Sequence, residues 1–376
     1  MADDAQQEPR WIHAAADLVA LEADLEGAPW IAVDTESNSM FVYREQVCLM
    51  QLNLGGALWL VDTLSLESED VRGSALARAL EDPQVPVYLH GGEYDVACLK
   101  REYEISVNGV FDTQQAAAFL GMPRTGYGAL VEAATGVVLA KGHAQYDWGT
   151  RPIDGKALQY AVDDVLHLPD VVDWIRQRVR DADLEEEVAI ACGAVEEMES
   201  HSVENNPLKL LRHKHAKGLD PTAQVVLVRL GMWRETNAMR FNKPPGRLVS
   251  TEVLARVART QPRDLGALKR CKVGPRIERR FGRSLLSAVE DALENPPELR
   301  REVGPRPSQT VRRRADSLRS WRRGEAENRG VPPVVVLPPR ALEYLSEHGA
   351  GDLGAVPQLG DKRAARYGAA LLNACE

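Results

Sequence analysis

Asp34 and Glu36 sit in the stretch WIAVDTESNSM, residues 30–40. Four residues suited to a buried strand run straight into two acids, two positions apart, which on a strand point the same way. Asp95 stands just inside the helical pattern EYDVACLKREY that follows VPVYLHGG. Tyr160 and Asp164 lie in LQYAVDDVLHL, four apart and therefore on one helix face. Asp163 is turned away from them by about 100°. If Asp34, Glu36, Asp95 and Asp164 meet at one sheet edge, they repel, at about 4 kcal/mol for two charges about 4 Å apart with an effective dielectric of about 20. Such a group either takes up protons or binds cations. Oxygen ligands without His or Cys suit Mg²⁺ or Mn²⁺. Two such ions about 3.5–4 Å apart can clamp a phosphodiester and activate water. A nearby tyrosine hydroxyl can hold that water in line.

The elements that must position these acids read as α/β. Residues 30–34, 47–54 and 57–63 suit strands, with Gly55-Gly56 as the hairpin turn between the last two. A helix over 74–81 precedes a short buried strand in 85–92. A helix over 93–103 and a strand over 109–113 follow, then a helix through about Leu120. Residues 122–152 are loop-rich around a short helix near 128–135. A long helical pattern runs from Asp154 to about Val179. The expected architecture is a mixed sheet, first a meander and then crossovers. Residues 180–200 are acidic and helical and read as a connecting arm.

The second half has no strand signals and a different charge. Residues 1–200 carry 13 Lys/Arg against 36 Asp/Glu, a net of −23, while 201–376 carry 33 against 19, a net of +14. An acidic metal-binding head joined to a polyanion-binding tail explains that asymmetry. The basic half also repeats. MWRETNAMRFNKPP (232–245) matches SWRRGEAENRGVPP (320–333), with Trp233 and Trp321 88 residues apart. DLGAL (264–268) matches DLGAV (352–356) at the same offset, and RFGRSLL (280–286) matches RYGAALL (366–372) at 86. Each unit reads as a small helical bundle, with the Pro-, Glu- and Arg-rich segment 293–308 as linker. Trp233 and Trp321 are expected in the bundle cores.

Composition sets limits. A 44% hydrophobic content in 376 residues supports two or three packed domains. No apolar run approaches the roughly 18–20 residues of a membrane span. Five scattered cysteines without a CxxC pair argue against a disulfide framework or a thiolate zinc site. With an N-terminus that lacks an apolar h-region, this gives a cytoplasmic protein as the expectation.

The three motifs together resemble the DEDD 3′–5′ exonuclease superfamily, and within it the ribonuclease D group with tyrosine in the third motif. The first motif is Asp34-Thr35-Glu36, the second VYLHGGEYDVACL with Asp95, the third Tyr160 to Asp164. VFDTQQAAAFLG and YDWGTRPIDGKALQYAVDDV also look like this family, and the basic repeats are similar to HRDC domains. The resemblance spans residue 12 to the end. It implies a ribonuclease H-like exonuclease domain over 1–200, a first HRDC-like domain over 215–291 and a second over 308–376. It implies that Asp34 bridges two divalent metal ions, that Glu36 and Asp164 complete one site, and that Asp95 holds the other, partly through water. Tyr160 would orient the attacking water. The implied reaction releases 5′-mononucleotides from RNA 3′ ends, with tRNA precursors as expected substrates and a monomer as the expected state. The sequence departs from the family at Ser37, where an aromatic is common; Met40, Phe41 or Tyr43 would substitute in shaping the 3′-terminal nucleotide site. Tyr146 stands where Ser or Thr is common.

Further candidates follow from residue type. His90 either approaches the substrate phosphate or packs as a cap. Asp112 is expected to fix a turn through backbone hydrogen bonds. Lys141, Gln145 and Arg151 are loop residues that either contact phosphate or lie on the surface. Nucleic-acid contacts are expected from Arg212, Lys214, Lys272, Arg279, Arg280, Arg312, Arg313 and Arg314, as non-specific phosphate neutralisation. Two other functions remain open at this point: a DNA exonuclease of the same superfamily, and a catalytically silent nucleic-acid-binding protein.

Overall fold

The structure is a computed structural model, and it describes residues 8–140, 142, 145–200, 206–299 and 307–376. Lys141 lies outside the described residues, as do residues 300–306 of the expected linker. The chain forms two compact units. The first holds the described residues of 8–37, 47–200 and 307–376; the second joins the short loop 38–46 to the described residues of 206–299. The second helical module therefore shares a unit with the nuclease-like segment.

The first unit is built on one mixed six-stranded sheet. Its strands are β1 (Arg10–Ile12), β2 (Ile31–Ser37), β3 (Val47–Leu54), β4 (Ala57–Val61), β5 (Val87–Leu89) and β6 (Val110–Asp112), in the order β1-β4-β3-β2-β5-β6. β2 pairs antiparallel with β3 and parallel with β5, which places it centrally. All eight residues of β3 are buried, so that strand is covered on both faces. Gly55 and Gly56 turn the β3–β4 hairpin with φ of 57° and 112°, values that residues with a Cβ rarely adopt.

The helices divide between the two faces. α1 (Glu22–Gly27), α2 (Ser68–Arg72) and α3 (Ala75–Glu81) are short. α4 (Glu93–Tyr103), α5 (Thr113–Phe119) and α6 (Tyr127–Thr135) contribute Val96, Leu99, Ala116 and Leu130 to one core, against Ile31, Val33, Met50 and Leu52 of the sheet. α7 (Gly155–Leu166) covers the other face, where Ala157, Ala161 and Val165 meet Ala32, Leu49, Leu58 and Leu60.

The single long helix expected over 154–179 is two, α7 and α8 (Leu168–Asp181). Pro169 in the first turn of α8 has no N–H for the carbonyl of Val165, four residues back, so the helix cannot run on. That freed carbonyl accepts from Asn53 Nδ2 at 3.1 Å. The acidic arm expected over 180–200 is instead α9 (Glu185–Glu196), whose Val188, Cys192 and Val195 are core residues. β1 was not visible in the sequence; three residues carry no periodicity.

Two helical modules complete the chain. The first, in the second unit, comprises α10 (Pro221–Arg240), α11 (Pro245–Leu248), α12 (Thr251–Thr260), α13 (Leu265–Arg270) and α14 (Pro275–Glu294). The second comprises α15 (Gln309–Arg329), α16 (Pro333–Val336), α17 (Pro339–His348) and α18 (Asp361–Cys375). The repeat is structural. Lys272 and Gln358 share a positive φ (53° and 59°), as do Gly274 and Gly360 (88° and 75°), just before α14 and α18. Trp233 packs edge-on against Phe281, and Trp321 against Tyr367, so both tryptophans belong to bundle interiors.

Candidate active site

β2 sets the geometry. Its alternation points Ala32, Asp34 and Glu36 to the face under α7, and Thr35 to the other. α7 brings Asp164 to the same place. One carboxylate oxygen from each of Asp34, Glu36 and Asp164 lies within 4.8 Å of the others. Asp95 arrives from the opposite face on α4. It stands beside this triad rather than within it, tied down by Thr35, whose backbone N–H (3.1 Å) and hydroxyl both donate to Asp95 Oδ1. The acids thus reach the end of β2 from both sides of the sheet.

Their electrostatics follow from burial and crowding. Burial pushes the carboxyl of Asp34 well up, and Asp95, Asp164 and Glu36 push further. Burial, then Asp164 and Asp95, raise Glu36 to about 9. Asp164 rises to about 7, chiefly through burial, although the Tyr160 hydroxyl bonded to it pulls the other way. Asp95 rises to about 6 by burial, restrained by its Thr35 hydrogen bonds. Burial and the surrounding acids, Asp164 foremost, also raise Tyr160, so its hydroxyl stays protonated. Clustered acids whose proton affinity is raised by burial and crowding fit divalent cations by their donor type.

Supporting residues explain why the cluster holds its shape. Asp112 is fully buried and accepts from the N–H groups of Gly91, Gly92, Gln114 and Gln115 at 2.8–3.1 Å. It fixes the glycine turn that launches α4 and caps α5, the turn role expected for it. Asp163 accepts from Gln159 at 2.8 Å and stays out of the cluster. His90 packs on Tyr127, its Nδ1 lies 2.9 Å from Thr113 Oγ1, and burial lowers it to about 4, so the ring is neutral near pH 7. Arg151 pairs with Asp62 through two nitrogens (2.6 and 2.8 Å) and donates to the carbonyls of Cys48, Trp148 and Thr150. It clamps the loop before α7 to the sheet.

Three residues near the acids escaped sequence reasoning. Thr35 is the middle residue of the first motif. Tyr127 donates to the carbonyl of Asp163 at 3.0 Å, and Asp164 and Asp34 lie near enough to raise it beyond the effect of burial. Gln51 is fully buried, pairs in register with Asp34, and its amide has no hydrogen-bond partner among the described residues. A polar pair, Gln51 and Asn53, in an otherwise apolar buried strand was the available signal.

The basic candidates are spread over both modules. Arg212 and Lys214 are exposed on short turns, Lys272 is exposed before α14, and Arg279 and Arg280 are exposed on α14. Arg312 and Arg313 are exposed on α15. Arg314 differs: its Nε donates to the carbonyl of Cys375 at 2.8 Å, which makes it part of the bundle. Phe41 and Tyr43 engage the first helical module. Asn242 Oδ1 accepts from the N–H groups of Tyr43 and Arg44 at 3.0 and 3.1 Å, and Arg247 covers the Phe41 ring.

A mixed sheet with an acid cluster at the end of its central strand, followed by helical modules, defines a 3′–5′ exonuclease with HRDC domains. The family model for the 3′–5′ exonuclease matches residues 9–180, and that for the HRDC domain matches 223–289 and 311–375. The chain belongs to the ribonuclease D family. It is 30% identical to a ribonuclease D of Pseudomonas paraeruginosa over 98% of both chains. It is 26% identical to the exosome complex exonuclease RRP6 of Saccharomyces cerevisiae, over 80% of this chain and 43% of that one. Its fold matches the crystal structure of Escherichia coli RNase D with a TM-score of 0.69, at 23% identity and 98% coverage of both chains. The family works with divalent metal ions.

Proposed function

We propose that this protein removes nucleotides one at a time from the 3′ end of RNA by metal-dependent hydrolysis. Asp34, Glu36 and Asp164 would hold one divalent cation, and Asp34 with Asp95 a second, either Mg²⁺ or Mn²⁺. When bound, such ions lower the pKa of water and neutralise charge building on the phosphodiester. The chain's own residues do the rest. Thr35 holds Asp95 in place through Oδ1. The protonated Tyr160 hydroxyl, bonded to Asp164, would orient the attacking water. Water adds across the P–O3′ bond, leaving a 5′-mononucleotide and an RNA one residue shorter with a free 3′-hydroxyl.

One observation carries this reading: three carboxylate oxygens within 4.8 Å, on side chains whose proton affinity burial and crowding raise. Structured precursors such as tRNA with short 3′ extensions are the proposed substrates. This is supported by the Escherichia coli relative, described as an exoribonuclease involved in structured RNA processing. A cytoplasmic location goes with those substrates. The test is a 5′-labelled tRNA precursor and a DNA strand of matched sequence, each with Mg²⁺, Mn²⁺ or chelator, followed by product sizing. A one-nucleotide ladder on RNA that chelator abolishes is the expected result. Preferential degradation of DNA, or no cleavage with either metal, overturns it.

A further inference from the structure

Within the first unit, a cavity of about 340 Å³ lies where α5 and α9 meet α16, α17 and α18 of the second module. Phe119, Ile190, Met198 and Val334 give it apolar walls. Two charged side chains of opposite sign also line it: Glu187 of α9, 2% exposed, and Arg363 of α18, 1% exposed. Charges this deep are ordinarily paired and fully bonded. These two are not. Arg363 gives Nε to the carbonyl of Val335 at 2.8 Å and Nη1 to those of Gln358 and Leu359 at 3.3 and 3.2 Å, all neutral acceptors. Its Nη2 has no hydrogen-bond partner among the described residues. Glu187 Oε2 has none either; the Lys362 ammonium stands 3.6 Å away and pairs with Asp183 at 2.6 Å. The two charges are neighbours, since burial lowers the pKa of Arg363 and Glu187 is the first group to pull it back up.

The bundle fold does not require this arginine. In the first module Ile277 stands at the position of Arg363, 86 residues earlier, and Arg247 at that of Val335, 88 earlier. Ile277 packs against its own module's core, so a bundle of this kind closes with an apolar residue there. Val335, by contrast, is buried in the nuclease core. An unbonded polar atom on a buried charge costs about 1–3 kcal/mol or more, which an isoleucine would avoid. The other charged residues of the lining are already occupied. Gln115 donates to Glu93 at 3.4 Å, and Arg340 pairs with Glu197 at 3.0 Å. What the cavity leaves open is one donor on a cation and one acceptor on an anion.

We propose that this cavity binds a free α-amino acid with an apolar side chain, its carboxylate on Arg363 Nη2, its ammonium on Glu187 Oε2 and its side chain against Phe119, Ile190, Met198 and Val334. Charge decides the class of ligand. A plain anion would meet Arg363 but face the carboxylates of Glu187 and Glu93, and a plain cation would be repelled by Arg363. A neutral molecule would offer both charges only dipoles. A zwitterion presents each with its opposite, and hydrogen bonds between charged groups are roughly twice as strong as neutral ones. The volume stands at the small end of ligand pockets, which run from about 300 to about 1,000 Å³. A bound zwitterion would bridge α9 to α18 and so tie the second module to the nuclease segment. None of its contacts belongs to the acid cluster.

The test uses the full-length wild-type protein, melted and titrated calorimetrically with L-valine, L-leucine, L-isoleucine, L-methionine and L-phenylalanine in turn, each up to about 10 mM. At least one should raise the melting temperature saturably by about 2 °C or more, with a Kd below about 1 mM. The amide of that amino acid lacks the carboxylate and its N-acetyl form lacks the ammonium, so neither should shift the melting temperature. Glu187→Gln keeps the size of the side chain and should raise Kd about tenfold or more, as loss of a charged hydrogen bond requires. Arg363→Met should do the same; it also releases three carbonyls, so Glu187→Gln decides if the methionine variant folds poorly. No shift and no heat with any of the five amino acids overturns the inference and leaves the cavity to water. An equal response to the N-acetyl form overturns it in favour of a plain anion site. An unchanged Kd in Glu187→Gln also overturns it, because the ligand then sits elsewhere. The readout is independent of RNA hydrolysis, so failure of the catalytic reading would be seen separately.

Discussion

Thr35 and Asp95, 60 residues apart, are joined by two hydrogen bonds to a single oxygen: the backbone N–H and the hydroxyl of Thr35 both donate to Asp95 Oδ1. Thr35→Val keeps the shape of the side chain and removes the hydroxyl bond alone. A hydrogen bond to a charged group contributes roughly 1.5–3 kcal/mol, so kcat/KM should fall about tenfold or more. Thr35→Ser should behave like wild type. Steady-state kinetics on a short RNA would decide, and equal rates for all three proteins would show that Asp95 is held by other means.

Asp34→Ala and Asp164→Ala should each abolish turnover while leaving the far-ultraviolet circular dichroism spectrum intact. Near-normal activity of either purified variant would remove the acid cluster from the chemistry.

The same cluster makes the metal-free protein sensitive to pH. Glu36 binds its proton more tightly folded (about 9) than in its ordinary state (4.5), and Asp164 does likewise (about 7 against 3.8). A raised carboxyl favours folding only where the proton is present. The contribution is therefore complete at acid pH and is lost as pH climbs from about 3.8 to about 9. In chelator, the melting temperature should fall across that window, and less steeply for Glu36→Gln. Added Mn²⁺ should recover it at pH 8, because an ion that binds only the folded state stabilises it. A flat profile shared by both proteins would contradict the charge assignment.

Gln51 invites a test with two opposite signs. Its amide is buried beside Asp34 without a protein partner among the described residues, which costs about 1–3 kcal/mol. Gln51→Leu should raise the melting temperature by a few degrees and lower turnover if the amide serves the substrate or its water. A more stable and fully active variant would reduce Gln51 to a packing defect.

The second helical module shares a compact unit with the nuclease sheet. Ending the chain before residue 307 would uncover the buried face that Val335 fills and leave Glu187 without its Lys362 partner. The truncated protein should melt well below the full-length one or precipitate. An unchanged melting temperature would show that the module rests on the nuclease without supporting it.

Much of this was legible in the chain because local chemistry and local geometry agree. The D-x-E motif needs only strand alternation, and the Tyr160–Asp164 spacing needs only the helical repeat. Gly55-Gly56 needs only turn sterics. What stayed hidden depends on partners distant in sequence. The acidic composition of α9 suggested a connecting arm, yet its charges face Lys362 and the start of α18, and its valines face the sheet. The break at Pro169 is readable from proline alone, but the apolar spacing runs smoothly through it and masks it. Phe41 and Tyr43 follow the catalytic strand in sequence but answer to Arg247 and Asn242, about 200 residues on.

The swap of Val335 for Arg247 between equivalent positions has an evolutionary consequence. Duplication ordinarily leaves one copy free to drift, but here the two positions are held differently: Val335 is walled into the nuclease core, whereas Arg247 stays exposed. Drift at the later position should therefore be policed by misfolding, a constraint that the exposed earlier position does not share. A single consensus drawn across the pair would blur both.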